Sequence, residues 1–274
     1  MPDMGDLMAM LALILLIGAF AGVVAGLLGV GGGIILVPAF FFAFSYLGYD
    51  TVDLMQICLA TSLATIIVTS VRSLLSHNKK GAVDWAILRS WGPGIAIGAA
   101  FGVVAATGLR SEILMGIFGV LGVLVGLYFG FGKPEWRLGD AMPKGVPRAI
   151  ASPILGFLSV LMGIGGGSFG VPLMSLYNTP IHRAVATAAG FGVIIAVPSV
   201  LGFFFIEGAA EGRPPFTVGS VNLVAFVVVV AMTLITAPWG VKLAHAMDPK
   251  PLKRVFAVFI MVMALNMLWS AFSG

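Results

Sequence analysis

The chain has 274 residues, of which 59% are hydrophobic and only 9% charged, and its mean hydropathy is +1.09. Soluble domains are about 45–50% apolar and about 25% charged, so this composition excludes a water-soluble fold and points to an all-α polytopic membrane protein. The formal charge of +4 raises nucleic-acid binding, but membrane proteins concentrate Lys and Arg in their cytoplasmic loops, and no nucleic acid is expected as a partner.

The apolar runs are about 20 residues long, which suits helices rather than the roughly 10-residue alternating strands of a barrel. Met1 to Gly5 contains Asp3 and no basic residue, unlike a secretory signal, so the first run is expected to stay as a membrane segment. In order, the segments cover 8–28, 34–47, 54–76, 85–107 and 112–132, then 149–163, 168–178, 183–206, 217–240 and 252–272. The single cysteine, Cys58, rules out an internal disulfide and has no Cys/His cluster around it, so neither metal nor cofactor is expected. The tryptophans Trp85, Trp91, Trp136, Trp239 and Trp269 lie near segment ends, where interfacial anchoring is the ordinary expectation.

Two segments, 34–47 and 168–178, are too short to cross about 30 Å of hydrocarbon. Each follows a glycine run: Gly29-Val30-Gly31-Gly32-Gly33 with Pro38, and Gly163-Ile164-Gly165-Gly166-Gly167 with Ser168 and Pro172. The runs match at an offset of 134, and Ala60-Thr61 matches Ala186-Thr187 at 126. The chain therefore reads as a first repeat over 1–132, a hydrophilic linker over 133–148 and a second repeat over 149–274.

Five segments per repeat place the second repeat in the membrane upside down. With the N-terminus outside, the cytoplasm receives Arg72, Lys79, Lys80, Arg89, Lys133, Arg137, Lys144, Arg148, Arg183, Lys242, Lys250, Lys253 and Arg254, and the outside only Arg110 and Arg213. The opposite assignment violates the positive-inside rule. The linker is then cytoplasmic and the C-terminus outside. Inverted repeats with broken helices at matching positions are a recurrent transporter design, with the substrate near the midplane.

Non-helical backbone at membrane depth needs protein or water to receive its polar groups. A glycine run exposes N–H groups without Cβ obstruction, and the following helix start adds partial positive charge, so each break is a candidate half of an anion site. The candidate residues are Gly31, Gly32, Gly33, Gly165, Gly166, Gly167 and Ser168. The competing expectation for any glycine here is close helix packing, and it is preferred for Gly22, Gly26, Gly116, Gly119, Gly122 and Gly126. Thr61, Ser62 and Thr187 are candidate donors to a bound oxyanion, against an alternative in which each bonds its own helix. Gln56 and His182 correspond at the 126 offset, and Arg183 is a candidate anion funnel or a snorkelling anchor. No Asp or Glu falls mid-segment, unlike most proton and sodium pumps. No Walker, HExxH or GxSxG motif occurs, and no enzyme activity is expected.

The doubled pattern Gly26, Gly29 and Gly31–Gly33 with Pro38, then Gly163 and Gly165–Gly167 with Pro172, resembles the TauE/SafE sulfite exporter family of membrane permeases. Ala60-Thr61-Ser62, the run Arg183 to Thr187 and the His77 to Trp85 loop are also similar. The resemblance covers essentially the whole chain. It implies a secondary transporter of sulfite, sulfoacetate or other small organosulfonates, multi-pass in the cell inner membrane. Here Thr187-Ala188 stands opposite Thr61-Ser62, and Gln56 opposite His182. The expected partners are a small anionic substrate, the lipid bilayer and, in a homodimer, a second copy of the chain. An importer or bidirectional permease, or a membrane scaffold without transport, are the alternatives; a scaffold has no use for broken helices.

Overall fold

A computed structural model describes residues 4–28, 32–132, 136–206, 212–246 and 249–273. The described residues form ten helices, α1 (Met4–Leu28), α2 (Gly33–Tyr46), α3 (Leu54–Lys79), α4 (Trp85–Gly108), α5 (Ser111–Phe131), α6 (Gly145–Leu161), α7 (Gly167–Leu176), α8 (Ile181–Phe204), α9 (Leu223–Ala246) and α10 (Pro249–Ser273). Six of them, α1, α3, α4, α5, α8 and α9, contain stretches long and apolar enough to cross a membrane. The short segments after the glycine runs are indeed short helices, 14 residues in α2 and 10 in α7. At 1.5 Å per residue they reach only about 21 Å and 15 Å. α1 and α6 begin earlier than the apolar runs, at Met4 and Gly145, and the segment start that moves furthest is that of α9. Residues from 217 form a two-residue-per-strand hairpin, β1 (Thr217–Val218) with β2 (Val221–Asn222), before the helix begins.

Local chemistry sets several of these boundaries. The Asp84 carboxylate accepts from the Ala86 and Ile87 amides, each at 3.1 Å, and so caps α4. Asn222 does the same for α9, its Oδ1 accepting from Ala225 N at 2.9 Å. The end of α6 is a Schellman turn: Gly163 N donates to Val160 O (2.8 Å) and Ile164 N to Ser159 O (2.9 Å). That turn requires the left-handed φ of +60° found at Gly163. Gly32, which precedes α2, has φ +71°.

The packing maps onto itself when α1–α5 are exchanged for α6–α10. α1 lies along α9 as α6 lies along α4; α2 packs on α3 as α7 packs on α8; α3 meets α9 as α8 meets α4. The α3–α8 and α5–α10 pairs map onto themselves. α3 and α8 form the buried centre and run antiparallel. Ser70 meets Gly192, and beyond the end of α3, Leu88 meets Gly190 and Asp84 meets Thr187.

Small residues permit the tightest crossings. Gly22 lies against Thr233 and Thr236 of α9, Gly98 against the Pro153 carbonyl of α6, and Gly119 and Gly122 against Leu268 and Ala264 of α10. Gly116 faces open space, and the surroundings of Gly26 lie outside the described residues. Large apolar side chains such as Phe20, Phe101, Leu124, Leu201 and Phe272 are left exposed around the bundle. A surface of this kind is suited to lipid rather than water. Trp91 corrects the interfacial expectation. It is only 1% exposed and belongs to the core, while Trp85, Trp136, Trp239 and Trp269 are exposed. The reason is local: the start of α4 is docked onto α8 through Asp84, which carries the second turn of α4 into the protein.

Candidate functional site

The two glycine breaks meet at the middle of α3. Ile66 lies twelve residues into that 26-residue helix, about 18 Å from its start. A Cβ built on Gly33 would sit 2.8 Å from Ile66 Cδ1, 3.0 Å from the Gly163 carbonyl oxygen and 3.1 Å from Ile164 Cα. A Cβ on Gly165 would sit 3.1 Å from Ile66 Cγ2. The start of α2 is thus pressed against the second break, and one side chain of α3 touches both. Gly29 to Gly31 lie outside the described residues.

Both short helices begin buried and uncapped. Gly33 and Ile34 open α2, and Gly167 and Ser168 open α7; all four are buried, and neither helix has a side-chain cap. The first N–H groups of a helix have no intrahelical acceptor, and a buried unpaired N–H is costly. Ile35 N donates to Gly32 O at 3.0 Å, but neither end has a side-chain acceptor among the described residues for its partial positive charge. Ser159, in the last turn of α6 before Gly163, adds a fully buried hydroxyl without a hydrogen-bond partner among the described residues. No sequence pattern singles out Ser159; its signal is burial alone.

The other predicted residues are placed differently. Ser62 Oγ donates to Gly163 O at 2.8 Å, so its proton holds the second break rather than a ligand. Thr61 Oγ1 accepts from Asn222 N, and Thr187 Oγ1 from Asp84 N, both at 2.9 Å. These are matching bonds: each threonine anchors the start of the helix that follows the other central helix, α9 or α4. Because α3 and α8 are antiparallel, Thr61 lies toward one end of the pair and Thr187 toward the other. The structure does not bring the two threonines together.

Gln56 is further removed. Its Nε2 donates to the carbonyls of Ala106 (3.2 Å) and Leu109 (2.7 Å), closing the end of α4. His182 and Arg183 are exposed at the start of α8, and Arg183 Nη2 pairs with Asp84 Oδ2 at 3.4 Å. Around Gly166 the space a Cβ would take is already filled, 2.3 Å from Phe191 Cβ and 2.6 Å from Ala188 O. That glycine serves the contact between α7 and α8.

The electrostatics at the two ends of the α3–α8 pair differ. At the end where α3 begins, Arg213 clasps Asp53 through Nη2 and through Nε at 3.0 Å, and its Nη1 donates to Gly219 O at 2.9 Å. Both side chains are mostly buried, whereas the Arg183–Asp84 pair at the other end is more open. Where α3 ends, a groove of about 640 Å³ is lined by Val68, Val71, Arg72, Leu75 and Lys79. Neither cation has a carboxylate partner among the described residues.

The geometry can be set beside known proteins. The profile of the family described as "Sulfite exporter TauE/SafE" matches residues 14–267. A probable membrane transporter protein of Haemophilus influenzae is 28% identical over 255 residues, covering 93% of this chain and 97% of that protein. One of Methanocaldococcus jannaschii is 26% identical over 265 residues, covering 96% and 97%. One of Bacillus subtilis is 29% identical over 196 residues, covering 64% and 71%. No solved structure matches the chain significantly.

Proposed function

This chain belongs to the sulfite exporter TauE/SafE family of multi-pass membrane transport proteins, and on that premise we propose that it exports small sulfur-containing oxyanions, sulfite or a small organosulfonate, across the cell inner membrane as a secondary transporter. The observation that carries the reading is the meeting of the buried, uncapped start of α2 with the second glycine break, which leads into the buried, uncapped start of α7, with Ile66 touching both. An oxyanion placed there receives the leading N–H groups of α2 and α7, at Gly33 and Ile34 and at Gly167 and Ser168, as anions do at helix N-termini generally. Gly33, Gly167 and Ser168 are the direct contacts in this reading. Ser62, Thr61 and Thr187 hold the surrounding backbone, and Gln56 holds the end of α4.

The anion approaches from the cytoplasm along the α3 groove. Arg72 and Lys79 raise its local concentration there, a role that paired Arg183 fills less well. The two halves are inverted repeats with the N-terminus outside, and the closed Asp53–Arg213 clasp faces outward. Access alternates by rocking the halves about the fixed site. With the cell interior negative, outward movement of one negative charge gains about 2.3 kcal/mol per 100 mV. No mid-membrane carboxylate is required to drive export.

The test is efflux from proteoliposomes loaded with sulfite or sulfoacetate under an imposed valinomycin–potassium potential. Efflux that accelerates as the interior becomes more negative is the expected result. Flux indifferent to the potential overturns the electrogenic export mechanism. A panel of small oxyanions that neither crosses nor raises the melting temperature of the purified protein overturns the anion site itself.

A further inference from the structure

We propose that the Ile66 side chain sets the size of the anion this protein accepts. The inference rests on the reading of the two glycine breaks as the anion site, and it adds a residue that neither break contains. Ile66 is fully buried, with Cδ1 directed at the start of α2 and Cγ2 at Gly165 of the second break. It touches the start of α2 and the second break at once.

The central helices are unequal at this point. The position 126 residues beyond Ile66 is Gly192, which has no side chain and lies beside Gly165, Gly166 and Ser70. A Cβ on Gly192 would fall 2.3 Å from Ser70 Oγ, so that side of the site is filled by the Ser70 side chain. The side chains that fill this crossing, Ile66 and Ser70, therefore both come from the first half. The inward face of α3 reads Ser62, Ile66, Ser70 at four-residue spacing, which stacks the three on one side of the helix. An apolar side chain stands between two hydroxyls. Ser62 is bonded to Gly163 O, and Ser70 lies against Gly192. With an oxyanion head held at the break, an alkyl tail has to compete with Ile66 for the same volume.

The experiment measures transport of sulfite, methanesulfonate, ethanesulfonate and butanesulfonate in proteoliposomes, comparing wild type with Ile66→Ala and Ile66→Val. Ile97→Ala, on the exposed face of α4, serves as a control. In wild type, flux falls as the alkyl chain lengthens. Ile66→Ala raises the butanesulfonate-to-sulfite ratio about tenfold or more, in the range that one or two methylenes contribute to pocket discrimination. Ile66→Val gives a smaller rise, and the control leaves the ratio unchanged. An unchanged ratio in Ile66→Ala overturns the proposal, as does a wild-type profile that is flat with chain length. If Ile66→Ala does not fold, an unchanged ratio in Ile66→Val overturns it. Wild type that carries none of the four anions overturns the anion-site reading instead, and this inference falls with it.

Discussion

Thr61 and Thr187 show how much a single hydroxyl organises here. Each accepts a backbone N–H from the start of a helix far away in the chain, Asn222 for Thr61 and Asp84 for Thr187. Thr187→Val removes the acceptor and leaves a partly buried N–H unpaired, at a cost of about 1–3 kcal/mol. Thr187→Ser keeps the oxygen and stays near wild type. Thermal unfolding in detergent separates the two variants, and equal melting temperatures for Val and Ser would remove the bond from the account. The repetition of the threonine was legible in the sequence at its offset of 126. Its partner was not, because Asp84 and Asn222 lie 103 and 161 residues away and share no local pattern with it. Trp91 was misplaced for a related reason: its nearness to a segment end is visible in sequence, but the docking that buries it is not.

The helices themselves were well marked. Runs of apolar residues bounded by Gly, Pro and charge gave nearly every element. The exception is the entry to α9, where a short hairpin takes up residues that hydropathy alone assigns to the membrane. Glycines divide into kinds that composition cannot distinguish. At Gly166 an added methyl meets Phe191 Cβ and the Ala188 carbonyl, so Gly166→Ala costs about 1–3 kcal/mol by overpacking. At Gly116, in the interior of α5, nothing lies within 4 Å of the added atom. There Ala gains up to about 1 kcal/mol of helix propensity. Melting temperatures moving in opposite directions are expected for the pair, and a stable Gly166→Ala would show that α7 and α8 are not in close contact. Within the candidate site, the glycine breaks were readable as interruptions of apolar sequence. That they converge on Ile66 depends on tertiary packing.

At the scale of the whole molecule, the distribution of Lys and Arg sets the orientation proposed for the halves. Single cysteines in place of exposed Val52 and Asn78 test it with a membrane-impermeant maleimide on intact cells. Val52→Cys is expected to react and Asn78→Cys only after lysis; the reverse pattern would turn the protein over. Native Cys58 is buried and gives little background. The exchange of partners between halves has a further consequence, for biogenesis. α1 packs along α9, and α6 along α4, so the first helix made is matched to nearly the last. During synthesis α1 must remain in the bilayer with its glycine face toward lipid until α9 arrives, protected only by its own apolarity. The second half, by contrast, finds α4 already in place when α6 emerges. Assembly is therefore ordered in time although the finished packing is symmetric, and the long-lived intermediate is the one in which the first half waits for its mate.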